Sequence, residues 1–162
     1  MKKALFIVLI LLMVGGMAFA QEWGGLVRFN LGNNIIELIY GSRYFQGTID
    51  IVPYIKENLG IPIDITLRGG PGGGFIQLLS GIEGAALSSR EKNGLFFTAL
   101  AGPLVVITDD VYLSFAFKGD VGYQLVTNGG FVFTPAIGFR LLNFVYIEFD
   151  LKLDIGFAWR KR

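Results

Sequence analysis

Two pairs of carboxylates have the spacing that acid–base catalysis or an oxygen-ligand metal site would use: Asp109 next to Asp110, and Asp150 followed by Asp154. Such chemistry needs one group to give a proton and another to take it, or several oxygens converging on one cation. Neither pair has support around it. No His occurs in the 162 residues, which removes His-containing triads, the commonest general base and the commonest metal ligand. No Cys occurs either, so thiolate nucleophiles, Cys-based metal sites and disulfides are excluded. Asp109-Asp110 falls in a Thr-Asp-Asp turn signal without the EF-hand pattern. The run Gly69-Gly70-Pro71-Gly72-Gly73-Gly74 lacks the Gly-Lys-Ser/Thr ending of a phosphate loop and, counted from Gly70, has Phe75 where a dinucleotide loop has its sixth-position glycine, so it reads as a turn. The reading is of a non-catalytic chain with no cofactor and no metal site, whose charged side chains serve the structure.

What must position those charges is a set of strands. Between Val145 and Trp159 the odd residues are apolar, while the even ones run Tyr146, Glu148, Asp150, Lys152, Asp154, Gly156 and Ala158. Successive side chains of a strand point to opposite faces, so this period of two gives one greasy face and one charged face. The alternation recurs from Val111 to Leu125, from Thr48 to Ile55 and from Ile61 to Arg68. It weakens at 74 to 87, where Gln77 and Glu83 mark a polar face, and at 95 to 107, which is apolar on both faces. Turn signals delimit candidate strands at 23 to 31, 35 to 41, 45 to 55, 61 to 69, 74 to 87, 95 to 107, 111 to 126, 131 to 141 and 144 to 159. This is the spacing of an antiparallel meander.

The N-terminus carries an address. Lys2 and Lys3 precede an uncharged, Leu/Ile/Val-rich run that closes on Ala18-Phe19-Ala20, so residues 1–20 are expected to be a cleaved secretory signal and 21–162 a single β-domain. The small-x-small ending favours cleavage over a retained membrane anchor. Removing Lys2 and Lys3 from 14 Lys plus Arg leaves 12 against 13 Asp plus Glu, a net charge of −1, which gives nucleic-acid binding no electrostatic footing. Charged residues make up 17% of the chain, where soluble domains average about 25%. The deficit points to a surface that does not face water throughout.

Alternating strands suit two environments. A soluble sandwich or lipocalin-like barrel turns its apolar face inward, whereas a transmembrane barrel turns it to lipid and keeps its charges inside. The second fits better: the apolar faces are bulky, the opposite faces mix charges with Gly, Ala, Ser and Thr, and Trp23, Phe157 and Trp159 stand near segment ends as membrane-interface aromatics would. Closure would also remove the edges that a sheet in lipid cannot carry. Single-chain bacterial barrels have even strand numbers. Eight strands are therefore expected, with one of the segments 23 to 31 and 35 to 41 surplus; ten, with one segment split, is the alternative.

With its signal, its lack of cysteine, its meandering amphipathic strands and its aromatic-rich last strand from Val145 to Trp159, the chain resembles the small bacterial outer-membrane barrels typified by the OmpA transmembrane domain and OmpX. The resemblance covers the mature chain and is one of pattern. It implies an all-β, antiparallel up-and-down transmembrane barrel in the cell outer membrane, surrounded by outer-membrane lipid and assembled by the outer-membrane insertion machinery.

An eight-stranded interior is just wide enough to be filled by side chains. The inward candidates Arg28, Asp50, Asp64, Arg68, Glu83, Lys118, Asp120, Arg140, Glu148, Asp150, Lys152 and Asp154 are thus expected to form a paired charge network, because an unpaired buried charge is costly. The expected role is structural or surface-interacting. A narrow ion-conducting porin with an acidic path at Glu148, Asp150 and Asp154 is the alternative, and a secreted soluble ligand-binding barrel is a second.

Overall fold

The computed structural model describes residues 24–31, 43–56, 58–88 and 93–159. The signal segment 1–20, Trp23 and the candidate strand at 35 to 41 lie outside the described residues. The strands are β1 (Gly25–Asn30), β2 (Phe45–Lys56), β3 (Leu59–Gly60), β4 (Ile63–Gly70), β5 (Gly73–Ser88), β6 (Asn93–Ile107), β7 (Val111–Val126), β8 (Phe131–Leu142) and β9 (Tyr146–Trp159).

Eight of them form a closed antiparallel barrel, each pairing with its successor from β1 through β2 and β4 to β9, and β9 pairing back with β1. The two-residue β3 stands outside this count. It touches β2 and β5, the neighbours of β4, across an interruption at Ile61-Pro62. Proline has no N–H to give to a ladder, which explains the break.

The register fixes the girth. From Ser114 in β7, paired residues run through Leu104, Gln77, Thr66, Thr48, Asn30, Asp154 and Thr134. The β7–β8 register then returns the path to β7 at Gln124, a stagger of ten residues. With about 3.3 Å per residue and 4.8 Å between strands, eight strands and that stagger give a tilt of about 40° and a backbone radius near 8 Å. No open pore fits within that radius once side chains are added.

One end of the barrel carries the start of β1, the end of β9 and the connections β2–β3, β5–β6 and β7–β8. The opposite end, called here the mouth, carries the turns at 71–72, 108–110 and 143–145. The last of these places Asn143 and Phe144 at φ of 52° and 60°, with Val145 N donating to Leu142 O at 3.1 Å. That is a type I′ hairpin turn, and it moves the start of the last strand from the expected 144 to Tyr146.

The two faces of the wall are opposite in chemistry. Outward side chains are apolar, with Phe149 88% exposed, Val145 76% and Leu113 75%. Inward positions hold Arg28, Asp64, Glu83, Lys118, Arg140 and Asp154, each at most 2% exposed. The inward set is even-numbered in every strand of the ring except β5, where it includes Phe75, Gln77, Leu79, Glu83 and Ala85. Gly70 pairs with Gly73 across the two-residue turn, a register that opposes even residues to odd ones.

Candidate charge network and mouth vestibule

The interior is built in layers. At the terminal end Leu26, Val52, Tyr54, Val126 and Val132 pack together and fill the lumen with hydrocarbon. Phe75, Leu79, Leu100, Leu104 and Ala116 form a second apolar cluster toward the mouth on the β5–β7 side, and Ala85, Phe96 and Ala136 a third. These clusters explain why β6 is apolar on both faces: its inner residues Phe96, Leu100 and Leu104 belong to them. Charges occupy the remaining volume.

Some of the pairs cross the lumen and others join neighbouring strands of the wall. Arg28 on β1 donates to Glu83 on β5 at 2.6 Å and lies 3.7 Å from Asp50 on β2. Tyr54 Oη donates to the other oxygen of Glu83 at 3.0 Å. Lys118 on β7 pairs with Asp64 on β4, which also accepts from Thr66 Oγ1 at 2.9 Å. Lys152 on β9 lies between Asp120 at 2.8 Å and Asp50 at 3.7 Å, and Thr98 donates to Asp120 at 3.0 Å. Asp154 accepts from Asn30 Nδ2 at 2.8 Å. A buried charge left alone costs several kcal/mol; here each of these meets an opposite charge or a donor.

Nearer the mouth, Arg140 is fully buried, 3.2 Å from Asp150 and 3.6 Å from Glu148, with its guanidinium 5.6 Å from the Phe75 ring. Arg68 pairs with Glu148 at 3.3 Å, and these two side chains keep 27% and 33% exposure. All twelve charged residues singled out from the sequence are therefore in one continuous interior, ten of them buried and Arg68 and Glu148 at its open end. The three acids of the supposed ion path are all engaged: Glu148 by Arg68 and Arg140, Asp150 by Arg140, and Asp154 by Asn30. Asp109-Asp110 sits in the exposed β6–β7 turn, where Thr108 N donates to Asp110 O at 2.9 Å.

Aromatic rings gather at both ends of the outer wall. Phe157 meets Phe131 edge to face at 6.0 Å near the termini, and Trp159 lies against Gly25, where a Cβ would collide with its ring. Near the mouth Phe115, Phe117 and Phe144 form a trio with centroids 5.2 to 6.4 Å apart. This trio was not apparent from the sequence; the signal available was Asn143, a residue suited to positive φ.

Above the filled interior the inward face continues for one more level. Tyr112 and Ser114 on β7 and Tyr146 and Glu148 on β9 keep the inward parity but stand above the core, so they line an open vestibule of about 550 Å³ together with Tyr44 and Arg68. Its floor is apolar, formed by Phe75, Leu104 and Leu142.

In sequence the chain matches no protein-family model and no curated protein.

Proposed function

We propose that this protein is an outer-membrane β-barrel with a structural or surface-interaction role, closed to ions and without catalytic activity. The observation that carries the reading is the inversion of polarity: lysine, arginine and carboxylates inside, phenylalanine, leucine and isoleucine outside. A barrel built for water keeps its apolar residues within, and a monomer rarely exposes so continuous an apolar surface. In lipid the same arrangement is favourable, because closure satisfies the backbone while the outer band meets hydrocarbon.

Dimensions agree with this reading. Along β9, Phe149 to Phe157 and Tyr146 to Trp159 bracket an axial rise of roughly 20–33 Å at the tilt above, against an apolar band of about 25 Å in outer-membrane barrels. Such a barrel would reach its membrane through the 1–20 signal and the insertion machinery implied by the resemblance to the OmpA and OmpX type. The non-catalytic reading rests on the absence of His and Cys and on the engagement of the interior acids with cations and donors.

Expression in a Gram-negative host followed by fractionation tests the proposal. The mature protein is expected in the outer membrane, resistant to carbonate extraction and heat-modifiable on detergent gels. Recovery as a soluble monomer without detergent would overturn it in favour of a secreted ligand-binding barrel.

A further inference from the structure

The mouth vestibule has the makings of a ligand site. It is concave, its volume of about 550 Å³ lies in the range of small-molecule sites, and it joins an apolar floor to a few polar groups. The ligand class follows from the charge balance of those groups. The Arg68–Glu148 pair is formally neutral and part-exposed, so an anion entering the vestibule would face the Glu148 carboxylate and a cation would face the Arg68 guanidinium. A purely apolar ligand would desolvate both members of the pair. A neutral ligand carrying both donors and acceptors avoids each of these costs, since a guanidinium has five N–H groups and a carboxylate about four lone-pair sites. Tyr112 and Tyr146, 49% and 72% exposed, add ring faces and hydroxyls at the rim.

We propose that the vestibule binds one or two pyranose units of a saccharide, with sugar C–H faces on Tyr112 and Tyr146 and hydroxyls on Glu148 and Arg68. A pyranose presents an apolar face and a polar edge, and the negative face of a tyrosine ring suits the former. This inference rests on the vestibule and not on the membrane reading, since the same cavity is present whether the outer wall meets lipid or water. Two sources share the chemistry: a free oligosaccharide, and the sugar portion of a surface glycolipid.

The test is isothermal titration of the full mature protein in lauryldimethylamine oxide micelles, a detergent without sugar, or in plain buffer if the protein proves soluble. The probes are maltose, lactose and the core oligosaccharide released from lipopolysaccharide by acid. Binding is expected at up to about 20 mM ligand, enough to detect a Kd near 1 mM. Tighter binding of the core assigns the glycolipid source, and equal or tighter binding of the disaccharides assigns the free one. Tyr112→Ala and Tyr146→Ala, at exposed positions, are each expected to weaken binding about tenfold or more with an unchanged unfolding midpoint, while Ile137→Ala on the outer wall leaves it unaltered. No heat with any of the three saccharides, or full affinity in both tyrosine variants, overturns the proposal.

Discussion

Arg28 Nη2 donates to Glu83 Oε2 at 2.6 Å across the lumen, joining β1 to β5, which do not pair with each other in the wall. The contact ties opposite sides of the barrel through its centre, with both side chains at most 2% exposed.

That pair gives the first prediction. Arg28→Met leaves the Glu83 carboxylate without its cation, and breaking a buried pair in this way costs about 3–5 kcal/mol. Adding Glu83→Gln keeps an acceptor for Tyr54 Oη and removes the stranded charge, so the double variant should regain part of the loss. Urea unfolding of the reconstituted protein, followed by tryptophan fluorescence, measures both. A cost for Arg28→Met below about 1 kcal/mol would mean that water reaches Glu83 and that the interior is not dry.

Conductance is the second. With the terminal end filled by Leu26, Val52, Tyr54, Val126 and Val132 and the charges above it paired across the lumen, no continuous aqueous path is expected. Planar-bilayer recordings of the pure protein in concentrated potassium chloride should show no stepwise current. Discrete cation-selective steps would instead revive the acidic path through Glu148, Asp150 and Asp154.

The parity of each charged residue was legible in the sequence, because side chains alternate in a strand and a closed sheet turns all of one set inward. What parity does not reveal is level and partner. Lys118 meets Asp64, 54 residues away, only because the barrel closes with a stagger of ten, and nothing local in either segment encodes that stagger. For the same reason Tyr112, Ser114 and Tyr146 share the inward parity of the core yet stand above it as the wall of the vestibule. The weak alternation of β6 has the opposite origin: its inner face packs hydrocarbon, so both of its faces read alike.

Gly138 supplies the third prediction. A Cβ there would collide with Asp120 Oδ1 and lie 2.6 Å from the Gly119 carbonyl oxygen, while Asp120 Oδ2 holds Lys152 and Thr98. Gly138→Ala should therefore push Asp120 out of the network and destabilise the barrel by about 1–3 kcal/mol. Gly69→Ala is the matched control, since a Cβ there meets nothing within 4 Å. It should stay within about 0.5 kcal/mol of the parent in the same unfolding assay. Equal effects at the two positions would show that the contact at Asp120 is not what Gly138 preserves.

The last prediction separates lipid from water at the outer wall. Ile137 is 66% exposed, sits mid-strand in β8 and is paired with Leu151 of β9. Its side chain makes no part of the interior, so in water an arginine there would change stability by no more than about 0.5 kcal/mol. In a bilayer the same guanidinium would stand near the middle of the hydrocarbon, where it costs about 2–4 kcal/mol in a barrel of this kind. Val111→Arg, at the mouth end of β7 and 71% exposed, should cost less, because a charge toward the interface loses less hydration. Unfolding free energies of Ile137→Arg and Val111→Arg in phosphatidylcholine vesicles give the comparison. A large penalty at Ile137 that shrinks at Val111 is the expected result; equal, small effects would mean that the apolar wall is covered by something other than lipid.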